Sequence, residues 1–327
     1  MTPFQSVRRV FACAGLLVAA AQVYQLPVHM HDDNADAGVY ARAARHCASG
    51  APVYGDWSRS RLDVPTNSFI YPPTALAVLC PVGGANEMTI KTVSLVLMLL
   101  AFWLLAAALG LLATGVLSWE TALATGAVIQ LTGVGMVTSF GNADLAVLAM
   151  IAWAFAVPRA AAPLLVVATA LKVYPVFVLV SWWPAMTRRQ MRSGAITAAV
   201  VVGLYVLTGA SRYYHEWTAI GMPTLSELVL PGGNWSLSTL LLRPFVSGEL
   251  ATTPAWAHTF LTVVPLVAVF GALIWSRKLP RDVRGCIVLM VGIAFAPICW
   301  WWRLTTALTI PGAVWIRERK ELLCESP

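Results

Sequence analysis

The sequence predicts an all-α, polytopic transmembrane helical bundle, and three observations lead to this fold class. Hydrophobic residues make up 58% of the 327 residues and charged residues only 11%, whereas about a quarter of the residues of a soluble domain are charged. Uncharged stretches long enough to cross the ~30 Å hydrocarbon core as helices recur along the chain. The alternating pattern of a transmembrane β-barrel is missing from these stretches.

We predict about ten spans within a single domain that covers residues 1–327. Because Arg8 and Arg9 precede the first span, the positive-inside rule places the N terminus in the cytoplasm. The spans cover residues 10–28, 68–82, 91–113, 120–138, 143–157, 164–184, 193–209, 259–275, 285–301 and 304–316. The net charge of +7 collects mainly in the cytoplasmic loops of this path and is therefore a topology signal rather than evidence of nucleic-acid binding.

The path alternates at every span. The first span leads to an external loop at 29–67, and the second returns to a short cytoplasmic turn before Lys91. The seventh leads to a second external loop at 210–258, and the last spans return to basic cytoplasmic segments. Because the two external loops hold most of the polar residues, function is expected on the extracytoplasmic face of the membrane.

The six cysteines give no motif. Four of them fall inside the hydrophobic spans, Cys47 lies in the first external loop and Cys324 lies in the tail. Because neither a C-x-x-C pair nor the spacing of metal ligands occurs, the sequence predicts neither a disulfide framework nor a metal site.

The first external loop opens with three aspartates, Asp32, Asp33 and Asp36. From Asp36 onward the spacing predicts a short amphipathic helix on the membrane surface, whose apolar face carries Val39, Ala43 and Cys47. A carboxylate at the N terminus of such a helix is stabilised there and suits a general base acting on a hydroxyl. The alternative interpretation, an N-cap within a solvated loop, remains open on spacing alone.

Several short motifs follow one another in the order found in one enzyme family. They are Asp36-x-x-x-Tyr40, Gly50-x-x-x-Tyr54, Phe69-Ile70-Tyr71-Pro72-Pro73, Gly141-Asn142-x-Asp144, Leu171-Lys172-Val173-Tyr174-Pro175, Asn234-x-Ser236-Leu237 and Ala296-Pro297-Ile298-Cys299-Trp300. Together, over most of the chain, they resemble the GT87 family of bacterial membrane mannosyltransferases, which use polyprenyl-phosphate mannose and have the GT-C fold.

The resemblance implies an inverting hexosyl transfer, with mannose as the sugar, at the outer face of the bacterial plasma membrane. Its partners would be a polyprenyl-phosphate sugar donor, a glycolipid or glycan acceptor and membrane lipid, without a cofactor. Asp36 matches the catalytic base of the family. Asp32 and Asp33 are alternates that could bind sugar hydroxyls. The other motif residues expected at the substrates are Tyr40, Tyr71, Asn142, Asp144 and Asn234.

A departing polyprenyl phosphate needs a cation nearby, and the sequence offers Lys172, Arg243 and His215. Lys172 lies near the middle of an uncharged run at 160–187, where a lysine costs roughly 2.5–3.5 kcal/mol, so a phosphate or Asp144 is its expected partner. The alternative is a lysine whose ammonium reaches the interface. For Arg243 and His215, the alternative is an ordinary residue of the membrane interface.

Two other functions are weighed against the enzyme. A transporter or lipid-handling protein without catalysis is one, although the few intramembrane charges and the lack of a repeat favour the enzyme. An inactive, truncated family member is the other. It is suggested by Trp301-Trp302-Arg303, where members carry a histidine, and by a C terminus shorter than is usual.

Overall fold

The structure, a computed structural model, describes residues 3–30, 36–54, 69, 71–130, 142–221, 236–242, 255–296 and 301–324. Over these residues the chain is helical between short turns and contains no strand, which confirms the all-α prediction. In chain order the helices are α1 (Pro3–Met30), α2 (Asp36–Ser49), α3 (Pro73–Leu79), α4 (Glu87–Thr114), α5 (Trp119–Ile129), α6 (Asp144–Ala156), α7 (Ala161–Leu171), α8 (Pro175–Trp182), α9 (Arg188–Leu207), α10 (Leu237–Leu242), α11 (Ala255–Trp275), α12 (Arg281–Ala294) and α13 (Trp301–Cys324). Shorter helical turns cover residues 210–221.

Four stretches of the described chain are long and apolar enough to cross a membrane: Arg8–Pro27, Glu87–Thr114, Arg188–Leu207 and Thr259–Lys278. Several apolar helices are shorter. The 13 residues of α6 extend about 20 Å at 1.5 Å per residue, which is less than the ~30 Å hydrocarbon core. The structure is thus that of a membrane protein, while the number of about ten spans is not confirmed.

Most of the basic clusters meet at one end of the bundle, which we call the basic end. Four contacts define it: the ion pair of Arg8 with Glu120, the hydrogen bond from Gln190 Nε2 to Pro158 O (2.5 Å), the hydrogen bond from Trp182 Nε1 to Arg281 O (2.9 Å), and the ion pair of Arg317 with Asp282 (2.7 Å). They bring together the starts of α1, α5, α9 and α12. The turn that carries Arg159 also lies at this end, through the bond from Gln190 to Pro158. The path predicted from the sequence had placed this turn at the other end, with the external loops.

The second predicted span, residues 68–82, does not cross the bundle. The helix α3 has only seven residues, and Cys80, directly after it, forms a disulfide with Cys47 of α2, their Cα atoms being 5.2 Å apart. The expectation of no disulfide was therefore wrong. The two cysteines are separated by 33 residues, so no local spacing marks the pair. It forms because the short α3 turns back against α2.

As a consequence α4 begins beside α2, at what we call the α2 end. Glu87, its first residue, accepts a hydrogen bond from Arg45 Nη1 (2.9 Å) and pairs with Lys91 Nζ (3.0 Å). Lys91 therefore lies at the α2 end, beside the helix of the predicted first external loop, and not across the bundle from it as the path with a second span had placed it. From here α4 runs 28 residues to the basic end.

The predicted span at 164–184 is two helices, because the chain breaks at Lys172. α7 ends at Leu171, Lys172 is extended (φ −148°, ψ 140°), and α8 starts at Pro175. A proline cannot donate to the carbonyl four residues earlier and clashes with it, and four residues before Pro175 is Leu171. Lys172 thus lies in a turn at the α2 end, not in the middle of a span.

Among the apolar clusters of the described residues, two hold these elements. The larger lies where α4, α6, α7, α8, α12 and α13 meet. There the ring centroids of Phe155 and Trp182 are 4.5 Å apart, and α12 approaches closely at Gly285, where a Cβ would lie 2.5 Å from Trp182 Nε1. The smaller packs α2 and α3 together with residues 210–213, and it positions the candidate site.

Candidate active site

The helix predicted after the aspartate cluster is present as α2, with Asp36 as its first residue. The predicted apolar face of Val39, Ala43 and Cys47 is present, but it is buried against the rest of the protein, whereas Arg45 is exposed and Arg42 is half-buried. The free N–H groups and the dipole at a helix N terminus stabilise a carboxylate. Asp36 therefore stands where an ionised carboxylate is favoured.

Tyr40 follows Asp36 by one helical turn and forms a pair with Tyr71. Their hydroxyl oxygens are 2.7 Å apart, and Tyr40 Oη also accepts a hydrogen bond from the backbone N–H of Ala143 (3.0 Å). Burial raises the pKa of Tyr40 well above its usual value, and the nearby charge of Asp36 adds to this. Burial likewise raises the pKa of Tyr71, so both phenols keep their protons. The pair connects α2 to the start of α6.

A buried ion pair lies beside the two tyrosines. Lys172 Nζ is 2.8 Å from Asp144 Oδ1, and the side chains are 12% and 2% exposed. Asn142 Oδ1 accepts a hydrogen bond from the backbone N–H of Asp144 (2.8 Å) and so fixes the start of α6. Lys172 Nζ also lies 4.8 Å from the ring centroid of Tyr71, within the range of a cation–π contact. Of the two partners predicted for Lys172, the structure contains Asp144.

Six of the predicted residues are therefore gathered at the α2 end, although they come from distant parts of the sequence. We call this set the site cluster; its members are Asp36, Tyr40, Tyr71, Asn142, Asp144 and Lys172. It joins the Asp36 carboxylate at a helix N terminus, two protonated phenols, and an ammonium that is paired with the Asp144 carboxylate. These are the groups that a reaction needs when it takes a proton from one reactant and leaves negative charge on another.

Aromatic side chains form a second layer that the sequence reasoning missed. Tyr54 Oη donates to the carbonyl oxygen of Tyr71 (2.7 Å), and Phe69 packs against both rings, with centroids 5.6 Å from Tyr54 and 5.4 Å from Tyr71. Both residues belong to the motifs quoted above, so their recurrence was the available signal. They fix the backbone at Tyr71 and hence its hydroxyl.

Residues 210–216 fasten the C-terminal end of α2, which the sequence also did not predict. Arg212 donates to the carbonyl oxygen of Cys47, and Tyr213 Oη donates to that of Ala51 (3.1 Å). Glu216 accepts from the backbone N–H of Tyr54. The sequence singled out the neighbouring His215, which is exposed and whose ring contacts Tyr214. His215 is thus exposed, whereas the ion pair is largely buried.

Four predicted residues lie outside the described residues: Asp32, Asp33, Asn234 and Arg243. Their proposed contacts with substrate stay predictions. Close to one of them, Ser236 is described and is fully buried.

We expect Tyr40→Phe to lower the free energy of unfolding by more than Tyr71→Phe. Loss of the Tyr40 hydroxyl removes both the bond to Tyr71 and the acceptor of the Ala143 N–H, and leaving such a donor unsatisfied costs about 1–3 kcal/mol. Tyr71→Phe removes only the shared bond, worth about 0.5–1.5 kcal/mol. Thermal unfolding in detergent compares the two variants; equal losses would contradict the role given to Ala143.

The model of one protein family, described as Glycosyltransferase family 87, matches residues 69–299, which is more than half of the chain. The matched region contains Tyr71, Asn142, Asp144 and Lys172, and Asp36 and Tyr40 precede it. No match was found among curated proteins or among solved structures.

Proposed function

The chain belongs to glycosyltransferase family 87, and from this premise we propose that it transfers a hexose, mannose by resemblance, from a polyprenyl-phosphate donor. The acceptor is a glycolipid or glycan of the cell envelope, and transfer takes place at the extracytoplasmic face of a bacterial plasma membrane. Asp36 is the catalytic base. Lys172 is the cation that receives the phosphate of the donor.

The observation that carries this proposal is the convergence of Asp36 and Lys172 on the same two tyrosines. Asp36 and Tyr40 are separated by four residues on α2, so their side chains are neighbours on one face of the helix. Tyr40 bonds to Tyr71, and Lys172 lies over the ring of Tyr71. A carboxylate and an ammonium are thereby held at one end of the bundle on either side of a rigid aromatic pair.

The proposed reaction is a single displacement. Asp36 takes the proton of an acceptor hydroxyl as its oxygen forms the new bond to the anomeric carbon. The bond from that carbon to the phosphate oxygen breaks, and its electron pair leaves with polyprenyl phosphate. Because the leaving group already carries charge, it needs electrostatic stabilisation rather than a proton, and Lys172 supplies a positive charge. Attack from the opposite side inverts the anomeric centre.

Two independent features support an extracytoplasmic site. Segments rich in Lys and Arg stay in the cytoplasm, and those segments meet at the basic end, opposite the site cluster. Disulfides persist in oxidising compartments such as the bacterial periplasm and cell surface, and the Cys47–Cys80 disulfide lies at the α2 end.

We also propose that ten helices cross the membrane, as many as the sequence predicts, although they are not the same ten segments. In this proposal successive crossing helices run alternately toward the basic end and toward the α2 end; they are α1, α4, α5, α6, α7, α8, α9, α11, α12 and α13. Dividing the predicted sixth span into α7 and α8 offsets the loss of the second. Both termini then lie on the cytoplasmic side, as the sequence path had them.

The proposed donor is tested with membranes that contain the protein and with sugars radiolabelled on three carriers. We expect label in the glycolipid or glycan fraction from polyprenyl-phosphate mannose, much less from polyprenyl-phosphate glucose, and none directly from a nucleotide sugar. Movement of the intact lipid-linked sugar across the membrane without transfer would instead favour a lipid-handling protein. Membranes without the protein are the control.

A further inference from the structure

Two arginines at the start of α12 have N–H groups to which the described part of the protein offers no acceptor. They are Arg281, the first residue of the helix, and Arg284, which follows by about one turn. Arg281 Nε and Nη2 and Arg284 Nε are buried, and no described residue accepts a hydrogen bond from them. A buried donor without an acceptor is destabilising, and more so when the group is charged. An acceptor from outside the chain is therefore expected at this place, which the proposed transfer reaction does not use.

Two nearby carboxylates, Asp282 and Glu318, are engaged mainly by a third arginine. Asp282 Oδ2 is 2.7 Å from Arg317 Nη2, whereas Asp282 Oδ1 is 3.9 Å from Arg281 Nε, which is too far for a hydrogen bond. Glu318 also pairs with Arg317 (3.2 Å). Arg281 and Arg284 lie close enough for their like charges to repel each other. An anion between them would relieve this repulsion.

The packing of α12 against Trp182 of α8 fixes the position of the arginine pair. The guanidinium carbon of Arg281 is 4.0 Å from the centroid of the Trp182 ring, which is a cation–π contact. Trp182 Nε1 donates a hydrogen bond to the carbonyl oxygen of Arg281 (2.9 Å). Both arginines remain partly exposed, Arg281 with 22% of its side chain. The pair is thus held in place before an anion arrives, and an anion can approach it from the surface.

Exposed tryptophans at the basic end indicate where the membrane interface lies. Trp183 directly follows α8, Trp275 is the last residue of α11, and Trp315 lies in the last third of α13; all three are exposed. Tryptophan is enriched where lipid headgroups meet the hydrocarbon. Along α11, exposed apolar side chains such as Phe270 and Ile274 lead up to Trp275. A lipid whose chains lie along this apolar surface would carry its phosphate to the basic end.

We propose that Arg281 and Arg284 bind the phosphate of an anionic phospholipid. The planar fork of a guanidinium matches the oxygens of a phosphate and forms strong, charge-assisted hydrogen bonds with it. Basic pockets between transmembrane helices on the cytoplasmic side bind lipid headgroups in this way. A choline headgroup fits less well, because its own positive charge would meet the two guanidinium groups. A free phosphate ion presents the same oxygens but has no chains to lie against the apolar surface.

The test is binding rather than sugar transfer, so its outcome is independent of the proposed reaction. The protein is purified in detergent, and bound phosphatidylglycerol and phosphatidylcholine are counted by native mass spectrometry, with and without an equal concentration of inorganic phosphate. Arg284→Gln removes one cation of the pair and leaves the contact between Arg281 and Trp182 intact. Arg189→Gln, which neutralises an exposed arginine at the start of α9, is the matched control at the same end of the bundle.

We expect phosphatidylglycerol to be preferred and Arg284→Gln to weaken its binding about tenfold, which corresponds to about 1.4 kcal/mol. Arg189→Gln should bind as the parent does, and inorganic phosphate should leave the lipid bound. Equal binding of the two lipids would overturn the proposal. So would equal losses in the two variants, which would show a general attraction to positive charge, or displacement by inorganic phosphate, which would show a site for the phosphate ion alone.

Thermal unfolding in the same detergent verifies that the variants are folded and gives a second measurement. A ligand that binds only the folded protein raises its melting temperature. Added phosphatidylglycerol should therefore raise the melting temperature of the parent and of Arg189→Gln by the same amount, and that of Arg284→Gln by less. An equal rise in all three proteins would contradict a lipid site at the arginine pair.

Discussion

Asp36→Asn is expected to lower the rate of sugar transfer by about 10²-fold to 10⁴-fold, while the protein remains folded in the membrane. The amide has nearly the shape of the carboxylate but cannot accept a proton, and general-base catalysis typically contributes a factor of this size. Because Asp36 opens α2 and an asparagine also suits a helix N terminus, the helix should persist. The measurement is transfer of label from a polyprenyl-phosphate sugar.

Glu120→Gln is the matched control for this variant. It makes the same change from carboxylate to amide, at a residue that pairs with Arg8 at the basic end, and it should leave transfer unchanged. The Cys47–Cys80 disulfide reports whether α2 is still packed in both variants. Full transfer by Asp36→Asn would show that another group is the base, and Asp32 and Asp33 would be the next to test.

The second large effect concerns the buried pair of Asp144 and Lys172. Removing one member of a buried pair leaves an uncompensated charge and lowers stability by about 3–5 kcal/mol, whereas removing both is much less costly. We therefore expect Asp144→Asn and Lys172→Met each to lower the melting temperature, and the double variant to recover most of the loss. Thermal unfolding in detergent measures this cycle.

Donor binding separates a structural role from a functional one. If Lys172 receives the donor phosphate, Lys172→Met and the double variant should raise the apparent KM for the donor about 10-fold to 100-fold, as expected for a lost charge-assisted hydrogen bond. Asp144→Asn keeps the ammonium and should keep donor affinity. An unchanged KM in the stable double variant would limit Lys172 to holding α6 against the turn between α7 and α8.

The residues of the candidate site were largely predictable, but their distances were not. Asp36 was distinguished by its place before an amphipathic helix, and Lys172 by the cost of a charge within an apolar run. Their connection through Tyr40 and Tyr71 requires four segments to meet, and no local pattern encodes such a meeting. Arg212 and Glu216 were missed for the same reason, since their partners are backbone groups of residues more than 160 positions earlier.

The errors in the predicted topology have a related cause. Hydropathy measures whether a segment is apolar, not whether it crosses the bundle from one end to the other. The stretch at 68–82 is apolar because it packs against α2, where Tyr71 and Leu76 are buried. In the same way, the residues after Lys172 are uncharged as far as 187, although the chain reverses direction just before Pro175. A proline is consistent with such a reversal but is not sufficient evidence for it, because prolines also occur inside transmembrane helices. Pro265 lies inside α11 in this protein.

The sequence by itself determined the all-α membrane class, the helix that begins at Asp36 and the family, because apolar length, helical periodicity and motif order are local properties of the chain. Only the tertiary structure decided which apolar segments traverse the bundle, that Cys47 pairs with Cys80, and that Lys172 lies beside Asp144 and Tyr71. These depend on chain reversals at α3 and at Pro175, and a reversal brings distant residues together without leaving a periodic signal in the sequence.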